Sequence, residues 1–439
     1  MVGTKARRAL LVGALAAGTA ALALALAWKP SPRVPVAPAT GYRVIVLAVD
    51  GLDGQLVTQF AQRGGLPGVS RVLRRATTAL ITADEPPLPL VGWTTLATGR
   101  PLDDDARRAV AGPGGGSLFG LSPAVTGAVR AAGGRTVTVG WPGTWPVGRR
   151  AAGVAAPYLP ASASRDAALP PALFADAPGQ TDPALEGVVR DAVVQAEAAL
   201  DAVFAGMLGG SPRRPDAAWD EAVAGLRWSL LADMTTVEVA ADLITREEPH
   251  LALVYLGGLD AVSRRFLPAA ASAASGTEAP GADAHAGVVG AYHLFIDAAV
   301  ERFRSLCDER TFLVVCSVYG ARPPGLGDAS LGSVAAPPGV FILHGRDAHS
   351  TPVPLQMTTL DVAPTLLALV GVPVPEDMSG RVVAEMLPQG LLGRVPVSRA
   401  KAAGRAARAA VSRPALADRL DALVSERLRE MEAATRARP

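Results

Sequence analysis

The sequence predicts an α/β protein with a doubly wound, mostly parallel sheet and helices on both faces. Continuous apolar runs, which suit strands covered on both sides, recur along the chain with helical patterning between them. These runs are Arg43–Val49, Ala76–Ile81, Arg135–Val139, Leu251–Leu256, Thr311–Cys316 and Gly339–Leu343. Because strand and helix alternate from residue 42 to residue 390, we expect one domain of this class there.

Composition excludes several classes of protein. The chain has 439 residues, of which 49% are hydrophobic, so it can bury a large core. Its net charge is only +2, from 42 basic and 40 acidic residues, which gives no reason to expect a nucleic-acid partner. Two cysteines, Cys307 and Cys316, form neither a disulfide framework nor a metal-binding pair.

The N-terminus has the charge order of an export signal. Basic residues at positions 5, 7 and 8 precede an uncharged apolar run over residues 9–28. Residues 1–28 therefore predict either a signal anchor in the inner membrane or a cleaved signal peptide, and we favour the anchor. A Pro-rich linker follows at 29–41. We expect the folded domain to be periplasmic or extracellular, tethered by one span or secreted if the signal is cleaved.

Three further segments differ in composition from the predicted core. Residues 151–215 are rich in Ala, Pro and Asp, and predict a cap-like insertion with helical patches. Residues 268–286 are mostly small and acidic, which indicates a mobile loop. The Arg- and Ala-rich tail at 391–439 carries one apolar helical stripe, which more often packs on its own domain than recruits a partner.

Two of the apolar strands end at a carboxylate. Asp50 follows the first strand, and Asp260 comes four residues after Leu256. In open α/β sheets ligands bind at the carboxyl ends of the strands, so both residues are candidates for a functional site. The alternative for Asp50 is that it caps the helix predicted over Gly54–Ala61.

Two adjacent hydroxyls form a second candidate feature. Thr94 and Thr95 lie at a predicted junction between a loop and a helix. Backbone N–H groups at a helix start favour an anion, and a hydroxyl there becomes a nucleophile if its pKa is lowered. The alternative is that one of these threonines is an N-cap.

Taken together, these residues resemble the alkaline phosphatase superfamily, and within it the type I phosphodiesterase and nucleotide pyrophosphatase branch. The similar segments, in order, are Asp50-Gly51, Gly65-Leu66-Pro67, Trp93–Gly99, Gly140-Trp141-Pro142, Thr144-Trp145-Pro146, Asp260–Ser263, Asp361–Leu367, Gly371-Val372-Pro373 and Gly380-Arg381. The resemblance implies that Thr95 is the nucleophile and that two zinc ions bind phosphate and the threonine alkoxide.

The metal ligands are where the sequence departs from that family. Asp50 and Asp260 match two ligand positions. The resemblance implies His, Asp, His and His at four further ligand positions, which are occupied here by Arg264, Val318, Tyr319 and Ala335. Arginine does not ligate zinc, valine and alanine have no donor atom, and tyrosine would ligate only as a phenolate. We therefore expect no bound cofactor. A remaining alternative is that His344, after a later strand, supplies a ligand.

The replacements also predict a reorganised cleft. Arg264 can supply the charge that Asp260 would lose with the metal, while Val318 and Tyr319 can fill the vacated space. Our first hypothesis is therefore a pseudoenzyme that binds a phosphorylated ligand or an envelope protein without turnover. The alternative is an active phosphohydrolase that uses Thr95 with one metal or with Arg264. A third hypothesis is a structural member of an envelope assembly.

Overall fold

The computed structural model describes residues 40–391 except positions 56, 58–60, 62–63, 84–88, 104–123, 143–153, 157–182, 209–216, 275–281, 321–336 and 352. The described residues belong to one compact unit. Within them, no helix has both the length and the apolar composition needed to cross a membrane. The predicted anchor, nearly all of the linker and the tail from residue 392 lie outside this part of the chain.

One mixed sheet forms the centre of the domain. Its strands are β1 (Arg43–Val49), β2 (Ala76–Thr82), β3 (Thr136–Val139), β4 (Val154–Ala156), β5 (Leu251–Leu256), β6 (Thr311–Tyr319), β7 (Pro338–His344) and β8 (Leu355–Thr358). Their order is β4-β3-β5-β1-β6-β7-β2-β8. β7 runs antiparallel to both neighbours, and the other pairs are parallel. The predicted mostly parallel sheet is confirmed, with β1 between β5 and β6.

Helices cover both faces of this sheet. They are α1 (Pro67–Leu73), α2 (Pro89–Thr98), α3 (Ala124–Ala131), α4 (Pro183–Leu208), α5 (Ala217–Glu247), α6 (Gly258–Ala274), α7 (Ala282–Ser305) and α8 (Thr359–Val370). Alternate residues of β1 belong to two separate cores because successive side chains of a strand point to opposite faces. Ile45, Leu47 and Val49 face α1 and α4–α7, and Val44, Val46 and Ala48 face α2, α3 and α8. The doubly wound prediction is therefore confirmed.

β6 is longer than the sequence predicts. We expected the strand to end at Cys316 and a loop to follow, but the strand continues to Tyr319. Pairing with β7 explains the extension, since Ser317 lies opposite Val340 and Tyr319 opposite Pro338. Two of the replaced ligand positions therefore lie in a strand and not in a loop.

The segments predicted as a loop and an insertion are partly regular structure. Helix α6 extends to Ala274 and α7 begins at Ala282, so within 268–286 only residues 275–281 lie outside the described structure. Alanine is the strongest helix former, which explains why this Ala-rich segment lengthens both helices. Within 151–215, β4 pairs with β3 in the main sheet, and α4 packs in the same core as α5.

Candidate functional site

The tip of β1 meets the start of α6. Asp50 follows β1 directly, and its backbone N–H donates to the carbonyl oxygen of Leu256 at 2.9 Å. Gly51 has φ +76°, and a Cβ there would lie 3.0 Å from the Cα and the Cβ of Asp260. Only glycine suits both this conformation and this close approach. The structure therefore brings the segments that carry Asp50 and Asp260 together at the carboxyl ends of the central strands.

A tyrosine hydroxyl binds the first of these carboxylates. Tyr255 donates to Asp50 Oδ2 at 2.8 Å, and both side chains are buried. Tyr255 pairs with Ala48 across β5 and β1, so it lies on the face to which Asp50, two residues later, also points. Our sequence analysis missed this partner. The available signal was a single hydroxyl within an otherwise apolar strand.

Asp50 does not cap the helix that follows it. Asp53 does, since its Oδ1 accepts from the backbone N–H of Gln55 at 2.8 Å and its carbonyl oxygen accepts from Val57 N–H at 2.9 Å. The capping alternative for Asp50 is therefore wrong. The Asp50 carboxylate instead faces Tyr255 within the site.

The second carboxylate has the cationic partner that the sequence predicts. Arg264 Nη2 lies 3.1 Å from Asp260 Oδ2, one turn along α6. The Asp260 side chain is 3% exposed, whereas that of Arg264 is 38% exposed. A buried carboxylate at a family ligand position is therefore balanced by a guanidinium that also reaches solvent.

Apolar packing occupies the other two described ligand positions. Val318 and Tyr319 are buried in the core between β6 and the helices on its face. A Cβ at Gly92, in α2, would lie 3.3 Å from Val318 Cγ2. The Val318 side chain therefore fills the gap between β6 and α2. Ala335 lies outside the described residues.

Thr95 lies inside a helix and not at its start. Helix α2 begins at Pro89, and the Thr94 hydroxyl donates back to the carbonyl oxygen of Leu90 at 2.7 Å, which rules out an N-cap role for Thr94. The predicted loop-to-helix junction is therefore wrong. Thr95 is 2% exposed, and its hydroxyl has no hydrogen-bond partner among the described residues. It lies three residues after Gly92, and hence on the face of α2 that meets Val318.

Three aromatic side chains pack beside the Asp50–Tyr255 bond. Trp93 contacts Tyr255 and Trp141 edge-on, with ring centroids 5.3 and 5.6 Å apart. Gly140 precedes Trp141 with φ +66°, and a Cβ there would lie 3.0 Å from the carbonyl oxygen of Tyr255. This close approach requires the glycine of the Gly140-Trp141-Pro142 segment. Asp50, whose carboxylate the Tyr255 hydroxyl binds, is only 3% exposed, so water has little access to it.

A third buried carboxyl, which the sequence did not predict, lies beside the start of α6. Asp233, in α5, accepts from the Tyr292 hydroxyl at 2.9 Å and from the Gly258 N–H at 3.0 Å. Burial raises the pKa of Asp233 to about 7, and the negative charge of Asp50 adds to the increase while the hydrogen bonds oppose it. The signal in the sequence was a single acid within a largely apolar stretch of helix.

His344 cannot complete a metal site at this edge. It pairs with Leu313 near the start of β6, and its Nδ1 contacts the carbonyl oxygens of Val72 and Arg75, each at 3.0 Å. Because β7 runs antiparallel to β6, its last residue lies beside the start of β6. His344 is therefore at the amino ends of β1 and β6, whereas Asp50 follows the carboxyl end of β1. The alternative that His344 supplies a ligand is therefore wrong.

The described donors do not fit the two zinc ions that the sequence resemblance implies. Asp50 is bound by Tyr255, Asp260 is paired with Arg264, and Val318 offers no donor atom. Across the part of the chain that the structure describes, no three His, Cys, Asp or Glu side chains form a group that could hold a metal ion.

The fold and the acidic strand tips define a domain of the alkaline phosphatase superfamily. The sequence pattern described as "Type I phosphodiesterase / nucleotide pyrophosphatase" matches residues 44–324. The chain therefore belongs to the type I phosphodiesterase/nucleotide pyrophosphatase family, as its sequence predicts.

One of three similar solved structures, a mutant of the alkaline phosphatase PafA, supports this fold. This mutant is 11% identical, with 80% of this chain and 99% of that chain covered and a TM-score of 0.51. A 2-O GAG sulfatase is 15% identical, with 78% and 73% covered and a TM-score of 0.46. A phosphonate monoester hydrolase from Silicibacter pomeroyi is 13% identical, with 80% and 78% covered and a TM-score of 0.43. A search of curated protein sequences gives no significant match.

Proposed function

We propose that this chain is a catalytically degenerate member of its family, which binds a ligand or partner and does not hydrolyse a phosphate ester. The observation that carries the proposal is the Asp260–Arg264 ion pair, 3.1 Å long, at a family ligand position. A cation bound by Asp260 would have to displace the guanidinium and would gain no second ligand from residue 264, because arginine is always protonated. Residue 264 therefore balances the charge of Asp260 and does not coordinate a metal ion.

Packing at the second ligand pair supports the same proposal. Val318 is fully buried and fills the space beside Gly92, so a metal ion and its water would have to open the interface between β6 and α2. Close-packed interiors resist such insertion. Without a metal to lower its pKa, a threonine hydroxyl is a poor nucleophile at neutral pH. These residues therefore favour binding over turnover.

Two observations favour the alternative of an active phosphohydrolase. Thr95 retains the nucleophile position, and its hydroxyl has no hydrogen-bond partner among the described residues. In addition, the partly exposed Arg264 guanidinium can approach an anion. Under this alternative the Thr95 hydroxyl loses its proton to water and its oxygen attacks the phosphorus, the P–O bond to the ester alcohol breaks, and water then hydrolyses the phosphothreonine while Arg264 balances charge.

Hydrolysis of bis(4-nitrophenyl) phosphate separates the two functions. The test uses the purified full-length chain, with and without added Zn²⁺, beside Thr95→Val, which keeps the shape of the side chain and removes its hydroxyl. The proposal predicts the same background rate for both proteins. A zinc-stimulated or metal-independent rate that disappears in Thr95→Val supports the active enzyme and refutes the proposal.

We also propose that residues 9–28 tether the domain to the inner membrane, with the domain outside the cytoplasm. The order of basic and then apolar residues supports this topology. The binding partner is then an extracytoplasmic phosphorylated ligand or an envelope protein, and the net charge of +2 argues against nucleic acid. A compartment-sensitive reporter fused after Thr40 tests the topology, and reporter activity in the cytoplasm would contradict it.

A further inference from the structure

Asp233 is an acid in the middle of a buried helix. It lies in α5 and is 3% exposed, with Leu230, Leu231 and Val237 of the same helix in the surrounding apolar core. Burying a carboxyl costs free energy unless hydrogen bonds compensate for the lost water. A residue in this position therefore needs specific donors, and the structure supplies them from two other helices.

Both donors reach the same oxygen atom. Asp233 Oδ2 accepts from the Tyr292 hydroxyl of α7 at 2.9 Å and from the Gly258 N–H at 3.0 Å. Gly258 is the first residue of α6, and the first N–H groups of a helix have no partner within it. Asp233 thus acts as an N-cap supplied by a different helix, and its carboxyl also lies at the positive end of the α6 dipole.

The junction of the three helices requires glycine at position 258. A Cβ there would clash with the Tyr292 hydroxyl oxygen and would lie 2.5 Å from Asp233 Oδ2. No larger residue fits without moving one of the two hydrogen-bonded side chains. The start of α6 is therefore fixed by contact as well as by hydrogen bonding.

The start of α6 determines the geometry of the candidate site. Asp260 comes two residues after Gly258, and its backbone packs against Gly51 at the tip of β1. Arg264 lies one turn further along the same helix. A shift of the first turn of α6 would therefore change the separation of Asp50 from Asp260 and the direction from which Arg264 approaches.

We propose that Asp233 is the positioning residue of this cleft, an N-cap from α5 that fixes the start of α6 and with it the Asp260–Arg264 pair. The Tyr292 hydroxyl donates to this carboxyl and orients it, and the carboxyl in turn accepts from the Gly258 N–H at the start of α6. This role does not depend on whether the cleft binds or turns over its ligand, so it can fail independently of the proposed function.

Amide hydrogen exchange of the full-length chain tests the role. Asp233→Ala removes the acceptor and should speed exchange over residues 258–264 at least about tenfold. Asp233→Asn keeps an acceptor oxygen and should return exchange to within about threefold of wild type. If Asp233→Ala does not fold, Tyr292→Phe applies the same test, since it removes one donor and should speed exchange over 258–264 at least about threefold.

Asp297 offers a matched control. It is also buried, and it caps α1 from α7 by accepting from the backbone N–H groups of Gly68 at 2.9 Å and Val69 at 2.7 Å. Asp297→Ala should speed exchange over residues 67–73 and leave 258–264 unchanged. Unchanged exchange at 258–264 in both Asp233→Ala and Tyr292→Phe would overturn the proposal. So would an equal increase there in Asp297→Ala, or failure of Asp233→Asn to restore protection.

Discussion

Arg264 donates to Asp260 from one helical turn away, with Nη2 3.1 Å from Oδ2, at a position that the sequence resemblance assigns to a histidine ligand. The carboxylate is buried and the guanidinium is partly exposed, so the pair balances a charge that the metal would balance in the family. The remaining retained acid, Asp50, has a neutral partner in Tyr255. The two carboxylates are therefore stabilised by different chemistry, and each can be tested separately.

Arg264→Ala should destabilise the fold by about 1–3 kcal/mol, because it removes the cationic partner of the buried Asp260 carboxylate. The cost lies below that of breaking a fully buried pair, since water can replace a guanidinium that is 38% exposed. Asp260→Asn combined with Arg264→Ala should recover part of the loss. Urea unfolding of Arg264→Ala, of Asp260→Asn and of the double variant completes the cycle.

Arg246→Ala is the control for that cycle. Arg246 also forms an i,i+4 pair, with Asp242 at 2.9 Å, but those side chains are 45% and 48% exposed. An exposed pair of this kind contributes little, so the change should stay within about 0.5 kcal/mol. Additive effects of Asp260→Asn and Arg264→Ala would show that the two residues are not coupled.

Tyr255→Phe should destabilise the fold by about 1–3 kcal/mol, because Asp50 Oδ2 loses a donor in a buried site to which water has little access. Tyr42→Phe is a matched change, since Tyr42 donates to Asp347 Oδ2 at 2.6 Å in an exposed setting where water replaces the lost bond. Its effect should be at most about 0.5 kcal/mol. Equal effects of the two variants would contradict a special role for the Asp50–Tyr255 bond.

The pH dependence of the free energy of unfolding should reveal the titration of the buried Asp233 carboxyl. Burial raises its pKa in the folded state to about 7, well above the ordinary value for an aspartate, so the folded state holds this proton more tightly than the unfolded state does. The stabilisation is complete below about pH 4 and is lost as the pH rises to about 7. Over that interval wild type should lose on the order of 1 kcal/mol of stability per pH unit relative to Asp233→Asn.

Comparison with Asp233→Asn isolates this contribution. His250, His293 and His344 have pKa values lowered chiefly by burial, and they titrate in both proteins, so their effects cancel in the difference. Urea unfolding of both proteins at pH 5, 6, 7 and 8 gives the difference directly. If the difference in unfolding free energy between wild type and Asp233→Asn is the same at pH 5 and pH 7, Asp233 does not have the raised pKa assigned to it.

Restoring the family ligands should create metal affinity at some cost in stability. The variant Arg264→His, Val318→Asp, Tyr319→His and Ala335→His returns donor atoms to the four replaced positions. Titration with Zn²⁺ should show tighter binding than in wild type, while the melting temperature without metal falls because Val318→Asp places a carboxyl in the packed core. If the affinity does not increase, more than the ligands has changed at the site.

Local patterns in the sequence predicted six of the eight described strands and the acids at their tips, because these depend on residue type and spacing; the short strands β4 and β8 were missed. The Asp260–Arg264 pair was also predictable, since i,i+4 residues on a helix are neighbours. Tyr255 and Asp233 were missed because their partners lie 205 and 25 residues away in the chain. The extension of β6 to Tyr319 likewise depends on β7, a neighbour that no local pattern reveals.

Metal content tests the central claim most directly. Full-length protein purified without chelators, equilibrated with Zn²⁺ and freed of unbound metal by gel filtration, can be assayed by elemental analysis beside the variant with restored ligands. Because the described donors are bound by Tyr255 and Arg264 or replaced by Val318, we expect far less than stoichiometric zinc in the wild type. Stoichiometric zinc in the wild-type protein would contradict the account of a reorganised, metal-free cleft.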